Sequence, residues 1–197
     1  MMRMALALGG VVASGAAAAQ DIAPLPDFAT CFAQSIAHFE MEFARAGMAD
    51  TLEDFALVTR DRVHFCGTLA IVACDRGEAP QSCQRGLAAR QLGLRDRVLV
   101  SLPAPDGIDP PQILPGLYPT LWDVAHGTSA GDDCAGADDP VAAWCVTHEA
   151  RLKLTEAVAL WQVARLIGAA GPAAELGWVD EAMPFAPVPR PQQEDAP

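Results

Sequence analysis

The chain has 197 residues, with 25 acidic against 13 basic side chains, a net charge of −12, 51% apolar residues and six cysteines. That charge balance excludes the basic surfaces that bind nucleic acid or anionic lipid. The length suits one domain with appended segments.

The first stretch, "MMRMALALGGVVASGAAAAQD", has Arg3 in a short positive start, an apolar run over 5–13, and Ala17 and Ala19 at the A-x-A positions before Gln20. It reads as a secretory signal peptide over residues 1–19, with an apolar run too short to span a bilayer. The expected product is a periplasmic or secreted bacterial protein with no membrane span after cleavage. Cleavage would remove only Arg3 from the charge count, leaving 12 basic and 25 acidic residues, a net of −13. The imbalance is uneven: residues 20–103 hold 11 acidic and 8 basic side chains, residues 104–197 hold 14 and 4. Such a second half keeps an Ala-rich chain soluble and would steer a basic protein or peptide toward it.

All six cysteines lie in the exported portion, an even count that favours disulfides in an oxidising compartment. Their positions relative to turns suggest a pairing. "PDFATCFAQSIAHFEMEFARAG" places Phe28, Phe32, Ile36, Phe39 and Phe43 at helical spacing, with Asp27 as a cap and Gly47 past the end. A second helix begins at "DTLEDF", where Thr51 and Asp54 resemble a capping box. A hairpin turning near Ala49 sets Cys31 opposite Cys66. "DRGEAPQS" centres a turn between Cys74 and Cys83, and Cys134 and Cys145 flank the Asp139–Pro140 helix start. The predicted bridges are therefore Cys31–Cys66, Cys74–Cys83 and Cys134–Cys145.

The segment "RVHFCGTLAIVAC" is the ambiguous one. Its Val, Ile and Phe content suits a strand and Gly67 is poor inside a helix, and a β-hairpin would also satisfy the cysteine spacing. Helix is the preferred reading. It keeps Cys66 and Cys74 roughly 12 Å apart along the axis, so each must face a different neighbour.

Residues 81–102 form a third helix in this reading, with arginines at 85, 90, 95 and 97 as a candidate basic face. Residues 103–119 carry six prolines and read as an extended connector. "PTLWDVAHG" is a short helix with Pro119 at its start, His126 in its last turn and Gly127 as the stop. "DDPVAAWCVTHEARLKLTEAVALWQVARLIG" is a long helix capped by Asp139, with Pro140 at its first position and a stripe of Val146, Ala150, Leu154, Val158, Trp161 and Ala164. The fold class expected is all-α: a disulfide-stapled helical hairpin array over 27–102, the Pro-rich connector over 103–119, and a short plus a long helix over 120–168. One helical domain covers 20–183, and 184–197 is a Pro-rich, polar, disordered tail.

"CGTLAIVAC" followed by "CQRGLAARQLGLRDRVL" resembles the cysteine–helix arrangement of small exported LprI-like proteins, a family associated with lysozyme inhibition. The resemblance covers residues 66–99, and "Cys83-Gln84-Arg85-Gly86" departs from the pattern. It implies a helical, disulfide-stapled envelope protein without a catalytic centre, and carries across no functional residue.

Candidate chemistry is sparse. The C-x2-C pairs of zinc ribbons, thioredoxin centres and haem attachment are missing, as is a phosphate-binding glycine motif. Asp138, Asp139, His148 and Glu149 form a candidate metal set, although "HEARL" has Leu152 where a zinc-protease helix needs its second histidine. His38 and Glu42 stand one helical turn apart, a spacing more typical of a surface contact, and His64 reads as a packing residue. Trp122, Trp144 and Trp161 are core positions by default and a ligand groove otherwise. The expected function is an exported, non-catalytic interaction or accessory protein without a cofactor. The alternative is a small metal-assisted hydrolase using residues 132–149.

Overall fold

A computed structural model describes residues 25–45, 52–108, 116–127, 134 and 136–179, with the side chains of 52–59 excepted. The signal segment, the turn near Ala49, the middle of the connector and the C-terminal tail lie outside these residues. Five α-helices and one 3-10 turn make up the described chain, with no strand among the described residues: α1 (Phe28–Arg45), α2 (Leu52–Asp75), α3 (Pro80–Val100), the 3-10 turn Pro105–Gly107, α4 (Leu117–His126) and α5 (Asp139–Leu166).

Helix α1 starts where expected. Asp27 Oδ1 accepts the Thr30 N–H at 3.0 Å and its Oδ2 accepts the Thr30 hydroxyl at 2.6 Å, satisfying one of the donors that every helix start leaves open. The face Phe28, Phe32, Ile36 and Phe39 is buried.

The ambiguous segment is helical and belongs to α2. Val63, Cys66, Ala70, Ile71 and Cys74 are buried at three- and four-residue intervals, while Phe65 points out at 58% exposure. A half-buried strand would bury alternate residues instead. Gly67 is tolerated mid-helix because the Arg151 stem of α5 crosses where a Cβ would stand.

The disulfides Cys31–Cys66, Cys74–Cys83 and Cys134–Cys145 join α1 to α2, α2 to α3, and the segment before α5 to its second turn. Their Cα–Cα distances of 5.6, 5.4 and 6.3 Å are within bridging range.

Helix α5 is the axis on which α2, α3 and α4 pack. Every residue from Ala157 to Ala164 is buried, so this half of α5 is covered all round rather than along one stripe. The expected stripe is wrong at its start: Val146 is 49% exposed, while Thr147 is fully buried. The Thr147 hydroxyl donates to the Gln84 carbonyl at 2.9 Å and lies 2.8 Å from the Ala143 carbonyl. The close approach of the α3 backbone there favours a donor over a hydrocarbon.

Three end assignments also change. Asp138 rather than Asp139 is the N-cap residue of α5, without a side-chain cap bond, and the Asp139 carboxylate pairs with Arg85. Helix α4 begins at Leu117 after Gly116 (φ 90°), leaving Pro119 third in the helix, where no intrahelical donor is lost. The connector, expected to be extended, contains the 3-10 turn and is fastened by the buried Tyr118, whose hydroxyl donates to the Pro103 carbonyl at 2.8 Å. The arginines of α3 do not form one basic face: Arg85 reaches Asp139, and Arg95 reaches the Ala125 carbonyl at the end of α4.

After α5 the chain reverses at Gly168 (φ 74°) and runs back along the bundle to residue 179. Trp178 packs edge-on against Trp161 at 4.9 Å, and the Trp161 indole N–H donates to the Gly171 carbonyl at 3.2 Å. Phe39 of α1 packs on Trp161 at 5.0 Å, so α1, α5 and this hook share one aromatic cluster.

Candidate functional site

Helices α2, α3 and α5 bring their ends together at one pole of the bundle. Asp75 closes α2, Pro80, Gln81 and Gln84 open α3, and Pro140, Val141 and Trp144 open α5, enclosing a cleft of about 230 Å³. Its walls are mainly apolar. Val141 is 48% and Trp144 37% exposed, so large apolar groups face solvent beside the cleft. Two disulfides frame it: Cys83 lies between the lining residues Gln81 and Gln84, and Cys145 follows Trp144. Asp75, Glu78, Asp138 and Asp139 stand exposed at or near the rim, against Arg76 and the Asp139-paired Arg85. Inside, Gln84 donates to Asp75 Oδ1 at 2.5 Å, holding that carboxylate at the edge.

One turn further along α5, the Trp144 ring packs on His148 at 4.8 Å. His148 Nδ1 accepts from Arg151 Nη2 at 3.0 Å, and Arg151 Nη1 donates to the Thr68 hydroxyl of α2 at 2.5 Å. Burial lowers the Arg151 pKa from its ordinary value. It also lowers that of the half-buried His64, where the positive charges of Arg151 and His148 add to the effect. Sequence reading missed Arg151 as a buried group. A lone arginine on a helix gives no sign of burial until Gly67 and Thr68 are seen to face it.

The predicted metal set is not gathered. Asp138 and His148 are ten residues apart on one helix, about 15 Å along its axis. Asp139 pairs with Arg85, Glu149 with Lys153 at 2.7 Å, and His148 with Arg151. Among the described residues, no group of three His, Cys, Asp or Glu side chains is placed to hold a metal ion. Of the three tryptophans, only Trp144 lines the cleft; Trp161 is fully buried and Trp122 stacks on His126 at 4.0 Å. Glu42 pairs with Arg45 at 3.3 Å, a partner that sequence reading did not name.

No protein-family model, curated protein or solved structure matches the chain. No helix among the described residues is long and apolar enough to cross a membrane.

Proposed function

We propose that the protein is exported to the periplasm and acts there as a non-catalytic interaction protein whose partner is a basic protein or peptide segment. The observation that carries this reading is the apolar cleft at Trp144 and Val141 with carboxylates along its rim. An aliphatic stem ending in a cation suits that combination: the stem covers the indole while the charge meets Asp75 or Asp138. The disulfides on either side hold the walls in place before a partner arrives, which reduces the ordering cost of binding. The net charge of residues 104–197 adds long-range attraction for a basic partner. The signal-like leader and the LprI-like resemblance of residues 66–99 point to the same class of envelope protein.

The test is a titration of the oxidised chain with short peptides alternating Lys or Arg with apolar residues, at low and high salt. Binding should weaken as salt rises. Trp144→Ala should lower affinity by about tenfold or more while the thermal midpoint changes little, since the ring is part-exposed. Equal affinity for matched acidic and basic peptides would reject the reading. For the metal-assisted hydrolase alternative, metal stoichiometry and melting with and without chelator are decisive, and a stoichiometric metal that stabilises the fold would revive it.

A further inference from the structure

We infer that Arg151, steered by Thr68 and His148 and flanked by His64, forms a binding site for a small oxyanion, a carboxylate or a phosphate, in the seam between α2 and α5. The site goes beyond the cleft and its basic partner, and either can fail without the other.

The argument begins with charge. Arg60 pairs with Glu156, Arg85 with Asp139, Arg95 with Asp96 and Arg165 with Glu40, whereas the ion pairs of the described residues include none for Arg151. Yet Arg151 is more deeply buried than any of these, at 6% exposure. A guanidinium taken from water without a counter-charge is costly, and the usual compensation is a paired anion. Its hydrogen bonds in the fold go to a hydroxyl and an imidazole, neither of them a carboxylate, and Nε has no hydrogen-bond partner. Five N–H donors on a planar fork thus retain capacity for an acceptor with two oxygens.

The surroundings are shaped for this side chain. A Cβ on Gly67 would stand 2.5 Å from Arg151 Cγ and 2.8 Å from its Cδ, so α2 carries its poorest non-proline helix former where the arginine stem crosses. The next residue, Thr68, holds Nη1 and donates its own hydroxyl to the His64 carbonyl one turn back. His64, four residues before Thr68, lies on the same face of α2, half-buried, and its ring is close enough to feel the charges of Arg151 and His148. Asp61 and Arg60, both exposed, are the other charged groups acting on it. An oxyanion reaching this guanidinium would supply the missing negative charge and accept the remaining donors.

Thermal unfolding of the oxidised chain in phosphate, acetate and chloride at matched ionic strength tests the site. The midpoint should rise saturably in phosphate or acetate over chloride, as expected for a ligand that binds only the native state. A rise in one salt alone would identify the oxyanion class. His64→Gln should shift half-saturation severalfold upward, and Arg151→Gln should abolish the rise. If Arg151→Gln does not fold, the Arg151 Nε–H resonance of the unsubstituted chain takes its place: it should move and saturate at the same anion concentration. Equal midpoints in all three salts with an unmoved resonance would overturn the inference. So would an anion-dependent rise that persists in Arg151→Gln.

Discussion

Glu40 on α1 holds Arg165 at the end of α5: its Oε2 accepts from Arg165 Nη2 at 2.8 Å, while its Oε1 accepts the Ala173 N–H of the hook at 3.2 Å. The same guanidinium lies over the Phe43 ring at 4.5 Å. One carboxylate therefore fastens α1, α5 and the returning segment together. Glu40→Ala should destabilise the fold by about 2 kcal/mol, since it leaves a part-buried cation and a backbone donor without their acceptor. Glu40→Gln should cost less, because an amide oxygen can still accept from Ala173. Urea unfolding of the two variants checks the order, and variants both as stable as the unsubstituted chain would show that the charge and the acceptor contribute nothing here.

Gly67→Ala reverses the usual helix preference. Alanine should gain about 1 kcal/mol in an exposed helix interior. Against the Arg151 stem it should instead lose about 1–3 kcal/mol through overpacking. The double variant Gly67→Ala with Arg151→Ala should recover part of that loss, and the coupling is read from a double-mutant cycle. Additive losses would mean that the two side chains do not meet.

Acid should weaken the fold in two stages. The pKa of both His64 and His38 is lowered below the ordinary 6.5, chiefly by burial. For His64 the charges of Arg151 and His148 add to burial, with Arg60 in the same sense and Asp61 opposing; for His38, Arg62 and Arg45 add and Glu42 opposes. The unfolded chain then binds more protons than the folded one. The contribution of these groups is complete above 6.5 and declines as pH falls from there toward the folded values. Asp27, lowered from 3.8 chiefly by the Thr30 hydroxyl, contributes above 3.8 and is lost only as pH falls through its folded value. Unfolding midpoints across pH should show the upper stage shrinking in His64→Gln; an unchanged profile would remove His64 from the account.

Each disulfide should contribute through the loop it closes. Bridges spanning 35, 9 and 11 residues correspond to about 4, 3 and 3 kcal/mol of unfolded-chain entropy. Cys31→Ser with Cys66→Ser should therefore lower stability most. Peptide mapping of the unreduced chain should recover the three bridges, and free thiols would contradict the pairing. Replacing Cys134 and Cys145 should also weaken peptide binding at the Trp144 cleft more than it lowers the midpoint.

The helices and the cysteine pairing were legible in the sequence because both are governed locally. Phe28, Phe32, Ile36 and Phe39 repeat at the period of one helix face, and turn residues at Gly77 and Pro80 set Cys74 against Cys83. The all-helical class followed from the same spacing. The exchange of Val146 for Thr147 in the interior was not legible, since it depends on the Gln84 carbonyl of another helix standing opposite. Nor was the hook, whose sequence lacks a helical or strand period and is held by Trp178 on Trp161 and by Glu40.

The order of residues along the chain thus determined which segments coil and which cysteines can meet, because hydrophobic period and turn chemistry act over a few neighbours. Tertiary structure alone decided that Arg151 is a buried cation and that Trp144 borders a cleft. Burial, counter-charge and access are properties of what three separate helices place around one point, and no single segment encodes them.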